Sequence, residues 1–231
     1  MKYSTLVSGL IFITVSANAN IVINGTRFIY PEKNKEIVVQ LNNSGDAPSL
    51  VQAWIDNGDI NSTPETAKVP FLLSPPVVKV AKNSGQQLRI QKLAVTLPAD
   101  RESIFFLNVL DIPPVPENLK DKNTLQLAVK SRLKLFYRPQ KLQGGPDYSD
   151  KEILLSALGQ TLKIANKSPY YFSISNISAQ DKKPLLSAPV MVAPFSTLTT
   201  ASRFPVKGKE KFTLTYVDDF GAYNSKTFTA E

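Results

Sequence analysis

The sequence predicts an all-β protein made of two antiparallel β-sandwich domains, each about the size of an immunoglobulin-like domain. Short runs rich in branched and aromatic residues recur along the chain and are separated by turn residues roughly every ten positions, which is typical of antiparallel sandwiches. Helical periodicity is hard to find after the first segment. The 17 prolines fit strand ends and sheet edges better than helices.

The first part of the chain contains β-rich runs at residues 37–41, 50–55, 71–73, 88–90, 104–109 and 125–136. The segments between them are rich in Asn, Ser, Gly, Pro and Asp: Asn42-Asn43-Ser44-Gly45, Asn83-Ser84-Gly85, Pro98-Ala99-Asp100 and Pro113-Pro114. These residue types favour turns, so we expect the chain to change direction at each of them.

A loop-forming cluster divides the mature chain in two. The long run that ends at Tyr137 passes into Pro139 and then into Gly144-Gly145-Pro146-Asp147, which predicts a loop. Further β-rich runs follow at residues 161–164, 170–177, 190–192, 211–217 and 225–229. We therefore expect one domain over residues 20–139 and a second over residues 140–231.

Residues 1–19 are typical of an export signal. Lys2 supplies a positive charge, residues 6–15 form a short apolar stretch, and Ala17-Asn18-Ala19 is a cleavage site of the A-x-A kind. The apolar stretch is too short for a stable membrane anchor, and no later segment is long and apolar enough to cross a membrane. A buried N-terminal helix is the alternative interpretation. The mature protein is expected to begin near Asn20, outside the cytoplasm and without stable membrane insertion.

The composition excludes several kinds of chemistry. The chain has no Cys and no His, so disulfides, thiol nucleophiles, thiolate or imidazole metal sites and His-based triads are excluded. Motifs for nucleotide binding and for a serine nucleophile are absent. Asp218 and Asp219 are adjacent, and on a strand they would point to opposite faces, which favours a role in a turn or an interface. We expect no enzymatic activity, no metal and no cofactor.

The net charge of +8 admits acidic partners, nucleic acid or an anionic membrane. The sequence contains no run of five like charges and no basic stripe that alternates with aromatic residues. Scattered lysines that keep the protein soluble are the simpler interpretation, and no nucleic-acid binding is predicted.

Two patterns near residues 125–138 are candidates for a binding site. Leu125, Leu127 and Val129 alternate along one face of the predicted strand, although a plain strand with its apolar side inward would show the same pattern. Cations then interrupt the apolar run at Lys130, Arg132, Lys134 and Arg138. Arg27 lies in a similar apolar run. Because an unpaired buried cation is costly, each should reach solvent, have a structural partner or bind a ligand.

At these residues the sequence resembles the periplasmic chaperones of the chaperone–usher pathway, which assemble bacterial pili and fimbriae. The most specific match, LPADRESIFFLNVLDIP from Leu97 to Pro113, reproduces the family signature over 17 consecutive residues. Other similar stretches are residues 26–31, 52–54, 74–76 and 134–139 and, less tightly, residues 166–171 and 216–221. The resemblance covers nearly all of the mature chain. Unlike several relatives, this chain has no disulfide, and its short loop over residues 113–124 resembles the short-loop subgroup.

The resemblance implies two immunoglobulin-like sandwiches set at an angle, with a cleft between them. It implies that Arg27 and Lys134 bind the C-terminal carboxylate of a pilus subunit at the base of this cleft. Leu125, Leu127 and Val129 would be donated to the subunit, which lacks the last strand of its own sandwich. An outer-membrane usher would then receive the subunit in the periplasm. Self-association of the free protein is left open.

The resemblance also implies an interdomain ionic network of Glu102, Arg138 and Asp219, which would fix the angle between the domains. One geometric question remains. Lys134 has the opposite parity to Leu125 and Leu127, so a straight strand would aim it at the other face. Alignment with the donated face would require a bulge or a strong twist near Ser131.

Two other classes of exported protein are alternatives. A structural pilus subunit or sugar-binding adhesin would carry an N-terminal donor extension and one incomplete sandwich, and the two predicted domains argue against it. A carboxylate-based glycosidase would need two acids that face each other across a cleft, and the sequence indicates no such pair.

Overall fold

The computed structural model describes residues 20–115, 122–123, 125–142, 144–149, 151–179 and 182–230. The predicted export signal and most of the polar loop before Leu125 lie outside the described residues. Within them the regular elements are β-strands, and the prediction of an all-β fold is confirmed. The described part of the chain contains no helix that is long and apolar enough to cross a membrane.

The first domain consists of two sheets. One has the strand order β1 (Ile21–Ile23), β3 (Glu36–Asn43), β7 (Ser84–Lys92) and β5 (Phe71–Ser74). The other has the order β2 (Arg27–Pro31), β9 (Val129–Arg138), β8 (Ser103–Ile112), β4 (Ser49–Asp56) and β6 (Val77–Val80). Neighbouring strands are antiparallel except for β2 and β9, which run parallel.

The second domain also contains two sheets. One has the order β12 (Val190–Val192), β11 (Phe172–Ser178), β14 (Lys211–Val217) and β15 (Tyr223–Thr229), and the other pairs β10 (Ile153–Asn166) with β13 (Ser196–Val206). β10 turns back on itself at Gly159, which has a φ of 60°. The turn brings its two ends together, since Lys167 N donates to Glu152 O at 2.7 Å.

Each domain has its own apolar core. The first core draws on residues 21–137 and the second on residues 153–230. In the first, alternate residues such as Val39, Leu41, Leu88 and Ile90 face inward from one sheet, as the period of two in a strand requires. Because the chain has no disulfide, these cores supply the main stabilising term, at about 1.5–3 kcal/mol for each fully buried large aliphatic side chain.

The side chains of β9 alternate regularly between two environments. Leu133, Leu135 and Tyr137 pack into the first core, whereas Lys134 and Phe136 lie on the opposite face of the sheet. The pairing of β9 with β8 continues without a register shift from Tyr137 to Val129. β8 pairs with β9 at every residue from Val129 to Tyr137, so no extra residue is inserted near Ser131 and β9 has no bulge there.

Candidate functional site

Two cations lie side by side where the domains meet. The parallel register of β2 and β9 places Arg27 opposite Lys134. Arg27 Nη1 donates to the carbonyl oxygen of Val217 at 2.9 Å, and Lys134 Nζ donates to Ser173 Oγ at 3.1 Å. Both acceptors belong to the second domain. The structure therefore brings together the two side chains that the resemblance paired, and orients each with a neutral acceptor.

The charges of this pair are incompletely compensated. Neither cation forms an ion pair with a carboxylate of the described residues. Burial, with the positive charge of Arg27 beside it, lowers the pKa of Lys134 to about 8. Burial likewise lowers the pKa of Arg27, and its Nε is buried with no hydrogen-bond partner. A carboxylate bound beside the two cations would favour the charged form of both side chains.

The apolar side chains at positions 125, 127 and 129, which precede the cations in the sequence, are exposed. Leu125 is 85% exposed, Leu127 66% and Val129 46%. The interpretation of this stretch as a plain strand with its apolar side inward is therefore wrong. The predicted strand over residues 125–136 is also corrected at its start, because β9 begins at Val129. Val129 pairs with Asp111 near the end of β8, so residues 125–128 lie beyond nearly all of that partner strand.

One edge of β9 is open next to this apolar row. β2 pairs only with Lys134–Arg138 of β9, so among the described residues nothing pairs with that edge over residues 129–133. An open edge presents unpaired backbone donors and acceptors to another strand. The exposed row and the open edge together form a surface that can accept an extended chain.

Arg138 connects the two domains. It donates from Nη1 and Nη2 to the carboxylate of Asp219 at 2.7 and 2.9 Å and from Nε to Glu102 at 2.8 Å. Glu102 Oε2 also accepts from the backbone N–H of Tyr171 at 2.9 Å. The structure therefore brings together all three residues of the expected network.

Burial and charge oppose each other in this network. Burial raises the pKa of Glu102, although the positive charge of Arg138 acts in the opposite direction. Burial would lower the pKa of Arg138, but its hydrogen bonds and charge interactions with Asp219 and Glu102 outweigh this and raise it. Arg138 therefore holds both carboxylates in place, and its loss would leave Glu102 and Asp219 without their cation.

We expect Arg138→Ala to destabilise the protein by about 3 kcal/mol, because Glu102 would remain buried without its cation. Urea unfolding at neutral pH measures this change. Arg89→Ala is the matched control, since Arg89 pairs with Glu36 on the surface and its loss should change stability little. Equal stability losses in the two variants would contradict the assignment.

Arg132 has a structural partner. Its guanidinium donates to both carboxylate oxygens of buried Asp56, at 2.6 and 3.1 Å, and its Cζ lies 3.7 Å from the centre of the Phe106 ring. Asn108 donates to the same carboxylate at 2.7 Å. Arg132 is therefore satisfied within the first domain, which distinguishes it from Lys134 two residues later.

Sequence reasoning missed the acceptors in the second domain. Ser173 and the carbonyl of Val217 orient the two cations, yet neither residue type signals a site. The roles of the adjacent acids are clearer: Asp218 accepts from the backbone N–H groups of Phe220 and Ala222 in a turn, whereas Asp219 binds Arg138. This division agrees with the expectation of a turn or interface role for the pair.

Comparison with known proteins covers both domains. The family model "Pili and flagellar-assembly chaperone, PapD N-terminal domain" matches residues 20–143, and "Pili assembly chaperone PapD, C-terminal domain" matches residues 149–228. The chain is 43% identical to the chaperone protein MrkB of Klebsiella pneumoniae over 226 residues, which cover 96% of each protein. It is 42% identical to the probable fimbrial chaperone YehC of Escherichia coli K12, over 97% of this chain and 93% of that protein. The crystal structure of the CupB2 chaperone of Pseudomonas aeruginosa superimposes with a TM-score of 0.77 at 32% identity, over 91% of this chain and 100% of that one.

Proposed function

The chain belongs to the family of pili assembly chaperones, and from this premise we propose that it binds, folds and caps pilus subunits by donor-strand complementation in the periplasm. It then delivers them to an outer-membrane usher. The observation that carries this proposal is the exposed row of Leu125, Leu127 and Val129, which leads directly into the strand that holds Lys134 beside Arg27. The action is binding and release, without catalysis, ATP or a cofactor.

The two cations bind the C-terminal carboxylate of the subunit. Arg27 offers the N–H groups of its Nη atoms that Val217 does not occupy, and Lys134 offers the remaining protons of its ammonium group. Charge-assisted hydrogen bonds to a carboxylate are short and stronger than neutral ones. Val217 and Ser173 hold the two side chains in position before the subunit arrives, which limits the entropy lost on binding.

The apolar row fills the groove that the missing strand leaves in the subunit. The subunit strand pairs with the open edge over residues 129–133, and residues 125–128 extend that pairing. Burying three large aliphatic side chains contributes on the order of 5–9 kcal/mol gross. The conformational entropy that residues 125–128 lose when they extend the strand offsets part of this gain. The carboxylate contacts contribute about 1–3 kcal/mol. The apolar row therefore supplies most of the affinity.

The two parts of the site use opposite faces of one regular strand. The cations contact the end of the subunit chain from the face that turns towards the second domain, while Val129 projects from the other face of β9. Leu125 and Leu127 share that face with Val129 once residues 125–128 extend the strand in the complex. No bulge is needed, because the subunit strand lies beside β9 in the plane of the sheet. The fixed distance of roughly 30 Å between Leu125 and Lys134 in an extended chain sets the register, since a slip of one residue would turn the apolar row away from the groove.

The network of Glu102, Arg138 and Asp219 fixes the relative position of the domains in this proposal. Arg138 and Lys134 lie four residues apart on β9, so the network holds Ser173 and Val217 in reach of the two cations. Its function is therefore to keep the carboxylate site assembled.

Co-expression with a fimbrial subunit tests the proposal. We expect the affinity-tagged mature protein to purify from the periplasm as a 1:1 complex with the subunit, and to be absent from pili sheared off the cells. Removing the last residues of the subunit should lower the yield of complex. Recovery of this chain within sheared pili would instead indicate a structural subunit.

A further inference from the structure

A trough on the second domain adjoins the cation pair. It has a volume of about 310 Å³ and lies on the outer face of the sheet β12-β11-β14-β15. The residues that matter here are Lys134 at the rim and Ser173, Ser175, Met191, Val217 and Tyr223 along the floor and walls.

The shape of the trough follows from the residue sizes in neighbouring strands. Ser173 and Ser175, on the inner strand β11, are small and leave a depression. Met191 pairs with Ser173 from one side, and Val217 and Tyr223 pair with each other on the other side, so larger side chains stand on both flanks. The result is a cavity with a floor of small residues between apolar and aromatic walls.

The trough is continuous with the carboxylate site. Ser173 accepts the hydrogen bond from Lys134, and the carbonyl of Val217 accepts the one from Arg27. The two residues that orient the cations therefore also line the trough. A chain that ends in a carboxylate between Arg27 and Lys134 has its last side chain within reach of this cavity.

We propose that the trough receives the side chain of the last residue of the bound subunit and selects a large apolar or aromatic one. This inference rests on the proposed function, because it requires the carboxylate to lie on the cation pair. A volume of about 310 Å³ is at the small end of ligand cavities, which suits one side chain and not a folded segment. The unbranched thioether of Met191 can adjust to different shapes of the entering group.

Synthetic peptides with one alternating Val-Thr sequence, differing only in a final Gly, Leu or Phe, test the inference. With the native mature protein, we expect the Leu and Phe peptides to bind about tenfold more tightly than the Gly peptide, since only they bury apolar surface in the trough. Ser175→Phe should fill the trough and remove this difference between the peptides. Ser175→Ala is the matched control, because it loses the same hydrogen bond to Thr215 and keeps the cavity open.

The outcomes separate this inference from the proposed function. Equal affinity for all three peptides, together with weaker binding of their amidated forms, would overturn the trough and keep the carboxylate site. If the affinity of the peptides changes neither with amidation nor with the last residue, the carboxylate site is overturned as well. If Ser175→Phe does not fold, the affinities of the three peptides for the native protein still test the inference.

Discussion

Replacing Lys134 with alanine is expected to weaken subunit binding roughly a hundredfold while the protein stays folded. The substitution removes a half-buried cation that has one neutral partner, Ser173, and whose charge a carboxylate would compensate. Charge-assisted hydrogen bonds of this kind contribute about 1.5–3 kcal/mol. The measurement is the affinity of the purified variant for a subunit, together with subunit recovery from the periplasm. Arg27→Ala should act in the same direction, and normal recovery with both variants would refute the carboxylate site.

The fold should tolerate the loss of this amine because its charge is buried at a cost. The pKa of Lys134 in the folded protein, about 8, is below its ordinary value of 10.5. A lysine with a depressed pKa destabilises the folded state most below pH 8, and this effect disappears as the pH rises from about 8 to 10.5. At neutral pH, Lys134→Ala should therefore unfold at a urea concentration no lower than the native protein.

The same pKa gives the binding a pH dependence that serves as a control. Only the protonated amine attracts a carboxylate, so the affinity of the native protein should fall as the pH rises above about 8. Lys134→Arg keeps its charge at these pH values and should bind with a nearly constant affinity over the same range. A native profile as flat as that of the Arg variant would show that the amine does not contact the carboxylate.

The sequence was sufficient to predict features that depend on residue type and local order. The charges at Arg27 and Lys134 stand out because each lies in an apolar run, and alternation alone places Leu125, Leu127 and Val129 on one face. The start of β9 could not be obtained in this way, since it depends on where β8 ends. A β-rich composition indicates that residues can form a strand, whereas the number of residues that pair depends on the length of the partner strand.

The opposite parity of Lys134 and the apolar row is a difficulty only if both parts of the site are assumed to lie on the same face of the strand. The sequence correctly gives the two sets opposite parity, and the structure shows that the second domain lies over the face of the cations. Nothing in the local sequence could indicate this, because the acceptors Ser173 and Val217 are separated from Lys134 by long stretches of chain. Fold-level information was therefore needed to see that a regular strand suffices.

Leu127→Glu is expected to abolish complex formation even with both cations in place. The substitution removes a buried leucine from the complex and puts a carboxylate in an apolar groove, which together cost at least about 4 kcal/mol, or roughly a thousandfold in Kd. Leu127 is 66% exposed in the free protein, so the variant should fold normally. The measurement is the affinity for a purified subunit, alongside urea unfolding of the free variant.

Leu158→Glu is the matched control for this substitution. Leu158 is 80% exposed at the turn of β10 in the second domain, on a different part of the molecule from the apolar row. The two variants carry the same chemical change and the same added charge, so a nonspecific effect of charge or solubility should lower the affinity equally in both. Loss of binding confined to Leu127→Glu assigns the effect to contact with the subunit groove. An unchanged affinity in Leu127→Glu would remove the donor role, because a buried carboxylate in that groove cannot be neutral in its effect.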